Sequence, residues 1–582
     1  MVFAADAPTS PSLQPANPTE ETAVLSLQSG RALSAVAGKF TWVDWSVIAA
    51  YLILTTILGI ILAGRQATIR DFFLGGRKLP WFAVYGSIVA TEISAASFLI
   101  APAVAYRTNL TYLQLAIGTI IARFLIGIFF VPAFYEREIY SPYDYMGNRL
   151  GERVRKITTL LFIVGAVLAQ GARIFIAAFA VQVTTGTHLY VAIALMMVFS
   201  IAWTWIGGIR TVIWTDFIQF ILFTVGAAVA LGYVGFSIEG GFPQVFREAY
   251  AAGKLKLVDT TFDTKTAYTL WCGLLATWWL TLASHGTDQL NAQRMFTCRN
   301  ARDARKAIIW SSTSQVITLM LLLIGAGLYV YYKHHPLDAN EQAIVEANSN
   351  QIFAVFIVGV LPRGVSGLVM AAIFAAAIST VESALAALAQ ATQSNLPAAW
   401  RARLTTPARE VVVSRLLVVA WGIGLTAFAI FCNTLQQKYG DLLQFALAMA
   451  AYTYGGLLGT FLLAFLPTHR NDLGLIWGVP LAMLTVFGLE YHTGWPLYAL
   501  VLLLGILLTT AIVRLWGRPL KIACIAFFVA ALLFVVLWVG RNVPAEQPIL
   551  VWPWHYPIGT LVTFLVGYLV GERRANEPRL AR

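Results

Sequence analysis

Ser379, Thr380, Glu382 and Ser383 fall within about one and a half helical turns of a stretch, 364 to 394, that is otherwise almost wholly apolar. Ala376 and Thr380 are four residues apart, so a helix puts them on one face. Hydroxyls plus a backbone carbonyl make a weak, mostly neutral oxygen cage, which suits a monovalent cation that must bind and leave; calcium would call for several carboxylates. The small residues around the cluster would serve equally for close helix packing, with the hydroxyls bonded back to their own turn.

A second polar interruption lies in the stretch 82 to 106, where Ser87, Thr91, Glu92, Ser94 and Ser97 precede Pro102. A helix that breaks at membrane depth frees backbone carbonyls, and Ala90 and Ile93 are placed to offer them to a small cation. A proline-kinked helix with self-bonded hydroxyls is the competing reading. Charged side chains inside apolar stretches are costly, so by default they face a cavity or a partner. Here they are Glu92, Arg123, Arg173, Asp216 and Glu382. Arg123 and Arg173 read either as groups on a pathway or as buried struts paired to Glu92 or Glu382. Asp216 stands near one end of its stretch, where pairing with loop residues is easy. His285 is isolated and reads as a packing or gating residue.

Membrane helices must hold these residues. The 582-residue chain is 58% hydrophobic and 12% charged, with a mean hydropathy of +0.72, which makes lipid its main solvent. Stretches long enough to cross the hydrocarbon fall near 45 to 64, 82 to 106, 111 to 134, 157 to 184, 188 to 207, 213 to 238, 268 to 284, 306 to 332, 364 to 394, 413 to 432, 441 to 466, 472 to 490, 495 to 513, 522 to 540 and 555 to 571, about fifteen in all. The net charge of +12 is carried mainly by short loops, with no basic stripe of the kind that binds nucleic acid. With the N-terminus outside, the loop cations Arg65, Arg70, Arg77 and Lys78, then Arg137, Arg149, Arg153, Arg155 and Lys156, then Arg294, Arg299, Arg302, Arg305 and Lys306, share the cytoplasmic side with the C-terminus. Cys272, Cys298, Cys432 and Cys524 have no metal or disulfide spacing. Residues 1 to 41 read as a flexible tail, and the external loops 239 to 267 and 333 to 363 are too short to be enzymatic domains.

Six segments together carry a resemblance: Asp71 to Trp81 (DFFLGGRKLPW), Ala90 to Ser97, Phe130 to Tyr135 followed by Ser141 to Arg149 (SPYDYMGNR), Trp214 to Gln219 (WTDFIQ), Thr287 to Arg294 (TDQLNAQR) and Ile378 to Ser383 (ISTVES). In this order, over roughly residues 45 to 470, the chain resembles the sodium:solute symporter family, whose members take up sugars, amino acids, carboxylates, vitamins and anions. The resemblance implies an all-α polytopic membrane protein with a LeuT-like five-plus-five inverted-repeat core at 82–466, preceded by an extra span and loop at 42–81. Additional spans at 467–571 and a basic cytoplasmic tail at 572–582 follow.

By the same resemblance, sodium binds backbone oxygens of Ala90, Ile93 and Ala376 and the hydroxyls of Ser379 and Thr380. Asp216, Glu382 and Ser383 are implied as a second sodium or proton site. Glu92, Ser97, Gln114, Arg173, Thr281 and Ser284 are implied as solute contacts. Where relatives often have an aromatic pair, this chain has Ser284-His285. The implied function is sodium-coupled symport of a small polar organic solute, such as a sugar, a sialic acid or another organic acid, across the cell membrane by alternating access. The implied partners are sodium, the solute and the bilayer, with no enzyme activity. A proton-coupled transporter or a non-transporting membrane solute sensor is the alternative. An Arg173 with no protein partner favours a carboxylate on the solute; an Arg173 paired with Glu92 favours a neutral sugar or polyol.

Overall fold

The computed structural model describes residues 38–571 except 65, 137–138, 140, 405, 440–441, 467–471, 491–494, 515, 540 and 544–548. The expected N-terminal tail up to residue 37 and the basic C-terminal tail therefore lie outside the described residues. The described chain is helical, with one isolated backbone bridge between Leu79 and Cys298 and no further strand pairing. This follows from its solvent: in hydrocarbon every peptide group must be bonded internally, and a helix does so within one segment.

In chain order the main helices are α1 (Trp42–Ala63), α2 (Trp81–Glu92), α3 (Ala95–Arg107), α4 (Thr111–Tyr135), α5 (Glu152–Thr185), α6 (Leu189–Phe236), α7 (residues 272–287), α8 (Gln289–Phe296), α9 (Ala301–His334), α10 (Val365–Ser394), α11 (Pro407–Tyr439), α12 (Leu442–Phe465), α13 (Leu473–Glu490), α14 (Trp495–Arg514), α15 (Pro519–Leu533) and α16 (His555–Val570). Eight helices among the described residues are long and apolar enough to cross a bilayer, and the pair α2 and α3, bent by 60°, makes a ninth if it is one crossing. Shorter apolar helices occupy the expected stretches 441–466, 472–490 and 495–513. The expected stretches 188–207 and 213–238 meet within α6 at Gly208, whose φ of 55° and ψ of −150° break the helix. That conformation suits glycine, and a side chain there would also strike the carbonyl of Phe72.

Two breaks set the architecture. The first separates α2 from α3 at Ile93 and Ser94, both extended, and Ser94 caps the new helix by accepting from the Ser97 amide at 3.3 Å. The second separates α7 from α8 at Asp288, also extended, whose carboxylate accepts from the Leu290 amide at 2.8 Å. Each repeat of the five-plus-five arrangement thus opens with a broken helix. The expected span at 268–284 was drawn too short: the chain stays helical to 287 and resumes to 296, where Gln289, Asn291, Gln293 and Arg294 hide the segment from a hydropathy count. Pro102 does not make the first break. It lies inside α3, against Gly325 of α9, whose missing side chain lets the backbones meet.

α10 is the centre of the molecule, buried over nearly all its length and packed along α6, α5, α11 and α1. Its alanines permit this approach. Isoleucines and leucines of α1, including Ile53, Leu54 and Ile57, are exposed, as expected for a lipid-facing outer helix.

Candidate functional site

The first break frees the two carbonyls singled out in the sequence. In an uninterrupted helix the Ser94 amide would bond Ala90 and the Ser97 amide would bond Ile93. Instead Ser94 donates to the Glu92 carbonyl at 3.1 Å, and Ser97 donates to the Ser94 hydroxyl. Opposite the break, α10 presents Thr380, which donates to the Ala376 carbonyl at 3.0 Å, and Ser379, which donates to Asp216 Oδ1 at 2.6 Å. Both α2 and α3 pack on α10, and the hydroxyls of Thr91 and Ser383 lie 3.3 Å apart across the junction. With its proton turned toward the aspartate, the Ser379 oxygen keeps lone pairs for a cation.

Around Asp216 stands a buried network whose organising residue was misplaced by the sequence reading. Arg294, counted there among the loop cations, lies in α8 and is fully buried. It pairs with Asp216 Oδ2 at 2.9 Å, donates to Ser87 at 2.8 Å, and also bonds Ser383 and the Leu290 carbonyl. Ser87 in turn donates to Asp216 Oδ2 at 2.5 Å. Asp216 is therefore fully buried and paired, not a carboxylate at the membrane surface. Glu382 stands beside this network, its Oε2 accepting from Thr215 at 3.0 Å.

A cavity of about 190 Å³ opens next to the first break. Glu92, Ser97, Arg173, Thr281 and Ser284 all line it, so five of the six expected solute contacts converge on one space. Gln114 does not line it. Its amide donates to the Thr111 and Tyr268 carbonyls and its oxygen accepts from the Asp259 amide, tying α4 to the loop at 252–271. Glu92 is half-buried and paired with the fully buried Arg123, which is also held by Ser314 at 3.0 Å. Of the two expected arginine struts, Arg123 alone takes that role. Arg173 is half-buried and forms no ion pair or hydrogen bond with the described residues. His285 also lines the cavity, its Nδ1 2.8 Å from the Ser284 hydroxyl.

The sodium:solute symporter family profile matches residues 72–481 of the chain. The chain belongs to the sodium:solute symporter family. Its relatives include the sodium/sialic acid symporter SiaT of Proteus mirabilis, 25% identical over 78% of this chain and 90% of that one. The human sodium/iodide cotransporter is 27% identical over 75% of this chain and 68% of its own length. Human sodium-coupled monocarboxylate transporter 1 is 28% identical over 76% of this chain and 72% of its own length. In structure, the chain matches a sodium-coupled sialic acid symporter solved in a substrate-bound outward-open state. The TM-score is 0.74 at 22% identity, covering 92% of this chain and 100% of that one. The shared fold is the LeuT-like inverted repeat. This symporter is thus a multi-pass membrane protein whose activity is sodium-coupled solute transport, with sodium and a solute as its partners.

Several cavity residues of the symporter escaped the sequence reading: Gln170, Asn291, Gln315, Tyr112, Tyr454, Trp552 and Tyr556. Gln170 could have been found, because it lies three residues before Arg173 and shares its face. Asn291 sits one turn beyond the second break. The aromatic residues gave no signal, since Tyr and Trp are common in membrane helices for other reasons.

Proposed function

We propose that this symporter carries a small carboxylate-bearing solute into the cell, with the carboxylate held by Arg173 and one sodium ion held by Ala90, Ile93, Ala376, Ser379 and Thr380. The observation that carries the reading is Arg173: a cation lining the solute cavity that makes no ion pair with the described residues, while the cavity's own carboxylate, Glu92, is neutralised by Arg123. An organic acid supplies the missing charge through charge-assisted bonds. Names among the relatives agree in chemistry, since sialic acids and monocarboxylates both bear carboxylates.

The stoichiometry follows from Arg294. At the expected second ion site its guanidinium bridges Asp216 and Ser383 and supplies the positive charge a second sodium would bring. Sodium from outside joins the α2–α3 break to α10 and favours the outward-open arrangement in which the solute site is ordered. Coupling is the differential affinity of both ligands for the two states. One sodium with one monocarboxylate anion moves no net charge, so the sodium gradient drives the step and the membrane potential, worth roughly 2.3 kcal/mol per net charge per 100 mV, adds nothing to it. The N-terminus lies outside and the C-terminus in the cytoplasm under this reading, with the arginine-rich loops inside. Uptake of labelled organic acids and neutral sugars into proteoliposomes, under sodium or potassium gradients, tests it. Sodium-dependent accumulation of acids is expected, and accumulation of neutral sugars alone would overturn the carboxylate assignment.

A further inference from the structure

We propose that Trp552 and Tyr556, which lie outside the five-plus-five core, form one wall of the solute cavity and select solutes by the shape of the part that carries no charge. The inference rests on the assignment of this cavity to the solute. Trp552 and Tyr556 line the same cavity as Arg173 and Ser97. They belong to the turn and first helical turn that open α16, the last described helix of the chain.

Their position is fixed from three sides. The backbone before them is tied down by the Val551 amide, which donates to the Thr264 carbonyl of the external loop at 3.1 Å, and by the Ile549 amide, which donates to the Leu489 carbonyl at 2.8 Å. α16 then packs into α12 through a glycine seam. A methyl group on Gly455 would lie 2.7 Å from the backbone of Gly559, and one on Gly459 would lie 2.7 Å from the Thr560 carbonyl. On its other side α16 meets α13, where a methyl on Gly474 would lie 2.6 Å from the Gly567 carbonyl. Helices this close cannot slide without a clash.

The rings themselves form a connected surface. Trp552 and Tyr556 meet edge to face at 6.2 Å, and Tyr556 lies 6.3 Å from Tyr454 of α12, another cavity residue. Such a wall offers broad apolar contact with polar tips. The cavity therefore presents a cation for the carboxylate and, on another side, an aromatic face for a hydrocarbon or sugar-ring body. Solutes that leave that face empty lose its contacts.

The test uses full-length protein in proteoliposomes with acetate, lactate, phenylacetate and N-acetylneuraminate as probes. In Trp552→Ala and Tyr556→Leu, the ratio of KM between the bulkiest and the smallest transported acid is expected to change by fivefold or more. Leu565→Ala, on an exposed part of α16, should leave the ratio unchanged. Ratios within twofold of the parent in both cavity variants would overturn the proposal. Should Trp552→Ala fail to fold, Trp552→Cys in a Cys524→Ser background carries the test, read by a membrane-impermeant methanethiosulfonate reagent in sodium. Labelling that slows at least threefold with the transported acid supports the wall, and labelling that is absent or indifferent to the acid refutes it. If the parent accumulates none of the acids, the functional reading fails separately. The labelling of Trp552→Cys without solute then decides whether the residue faces the cavity: reaction upholds the wall, and no reaction removes it.

Discussion

At residue scale, the proposed sodium site draws its side-chain oxygens from two adjacent residues of α10, Ser379 and Thr380. Removing the Thr380 hydroxyl takes away one of five proposed oxygen ligands. A bond to a charged group is worth about 1.5–3 kcal/mol, so Thr380→Ala should raise the sodium concentration for half-maximal uptake about tenfold or more. The folded protein should remain, because among the described residues the hydroxyl bonds to its own turn at Ala376. Sodium titration of uptake, with thermal melting as the control for folding, checks this. Arg173→Gln should lose uptake of organic acids by a comparable or larger factor, while sodium-dependent protection against unfolding is retained. Glu382 supplies the contrast. If sodium alone drives transport, Glu382→Gln keeps a sodium requirement and uptake gains nothing from an inward proton gradient; proton-driven uptake that vanishes in this variant would move the coupling role to Glu382.

At element scale, the fold was legible where apolar runs are long and illegible where function interrupts them. Among the described residues the apolar stretches read from the sequence are mostly helical, that at 82–106 being interrupted at Ile93 and Ser94, because about 20 apolar residues in lipid have few alternatives. α8 was missed as an element because it is polar, and it is polar because Arg294 and its neighbours face the buried network. The Asp216–Arg294 pair was likewise out of reach, since 78 positions separate the two residues and Arg294 looks like one more loop cation. Ala90 and Ile93 were legible as candidate carbonyl donors because the Ser and Thr patch marks a break, although Pro102 suggested the wrong place for it. Gln114 misled, because a polar residue near a membrane end serves loop attachment as readily as solute contact.

The packing of α16 also belongs to this scale. Gly455→Val should separate α12 from α16, since overpacking typically costs about 1–3 kcal/mol. A lower melting temperature with a weakened solute affinity is the expected pair of readouts. The short helix Gly241–Ala251 is docked to the end of α9 by Glu248, which meets Lys333 at 2.9 Å and His334 at 2.8 Å. The Lys333 bond first, then Gln244 and His334, holds the Glu248 carboxyl down at about 2. A depressed carboxylate gives its contribution above the usual carboxylate range and loses it only as pH falls through the lowered value. Protonation of Glu248 itself should therefore contribute no change in uptake between pH 5 and 8, and a pH series taken below pH 4, comparing the parent with Glu248→Gln, will check where its contribution is lost.

At the scale of the whole molecule, two broken helices and one buried helix meet beside the proposed ion site and the cavity assigned to the solute. If, as proposed, Arg294 takes the place of a second sodium beside Asp216, transport is a one-sodium process. The sodium activation curve should then have a Hill coefficient near one, with net inward charge movement set by the charge of the solute. For a monocarboxylate anion, one sodium makes the step electroneutral, whereas two would make it electrogenic. The most direct measurement is therefore paired flux in proteoliposomes: labelled sodium and a labelled organic acid, taken up together under an imposed sodium gradient. The expected result is accumulation of the acid above equilibrium only with sodium outside, one sodium entering per acid, and loss of acid uptake in Arg173→Gln. Equal accumulation in potassium, or acid uptake that survives loss of Arg173, would contradict the account.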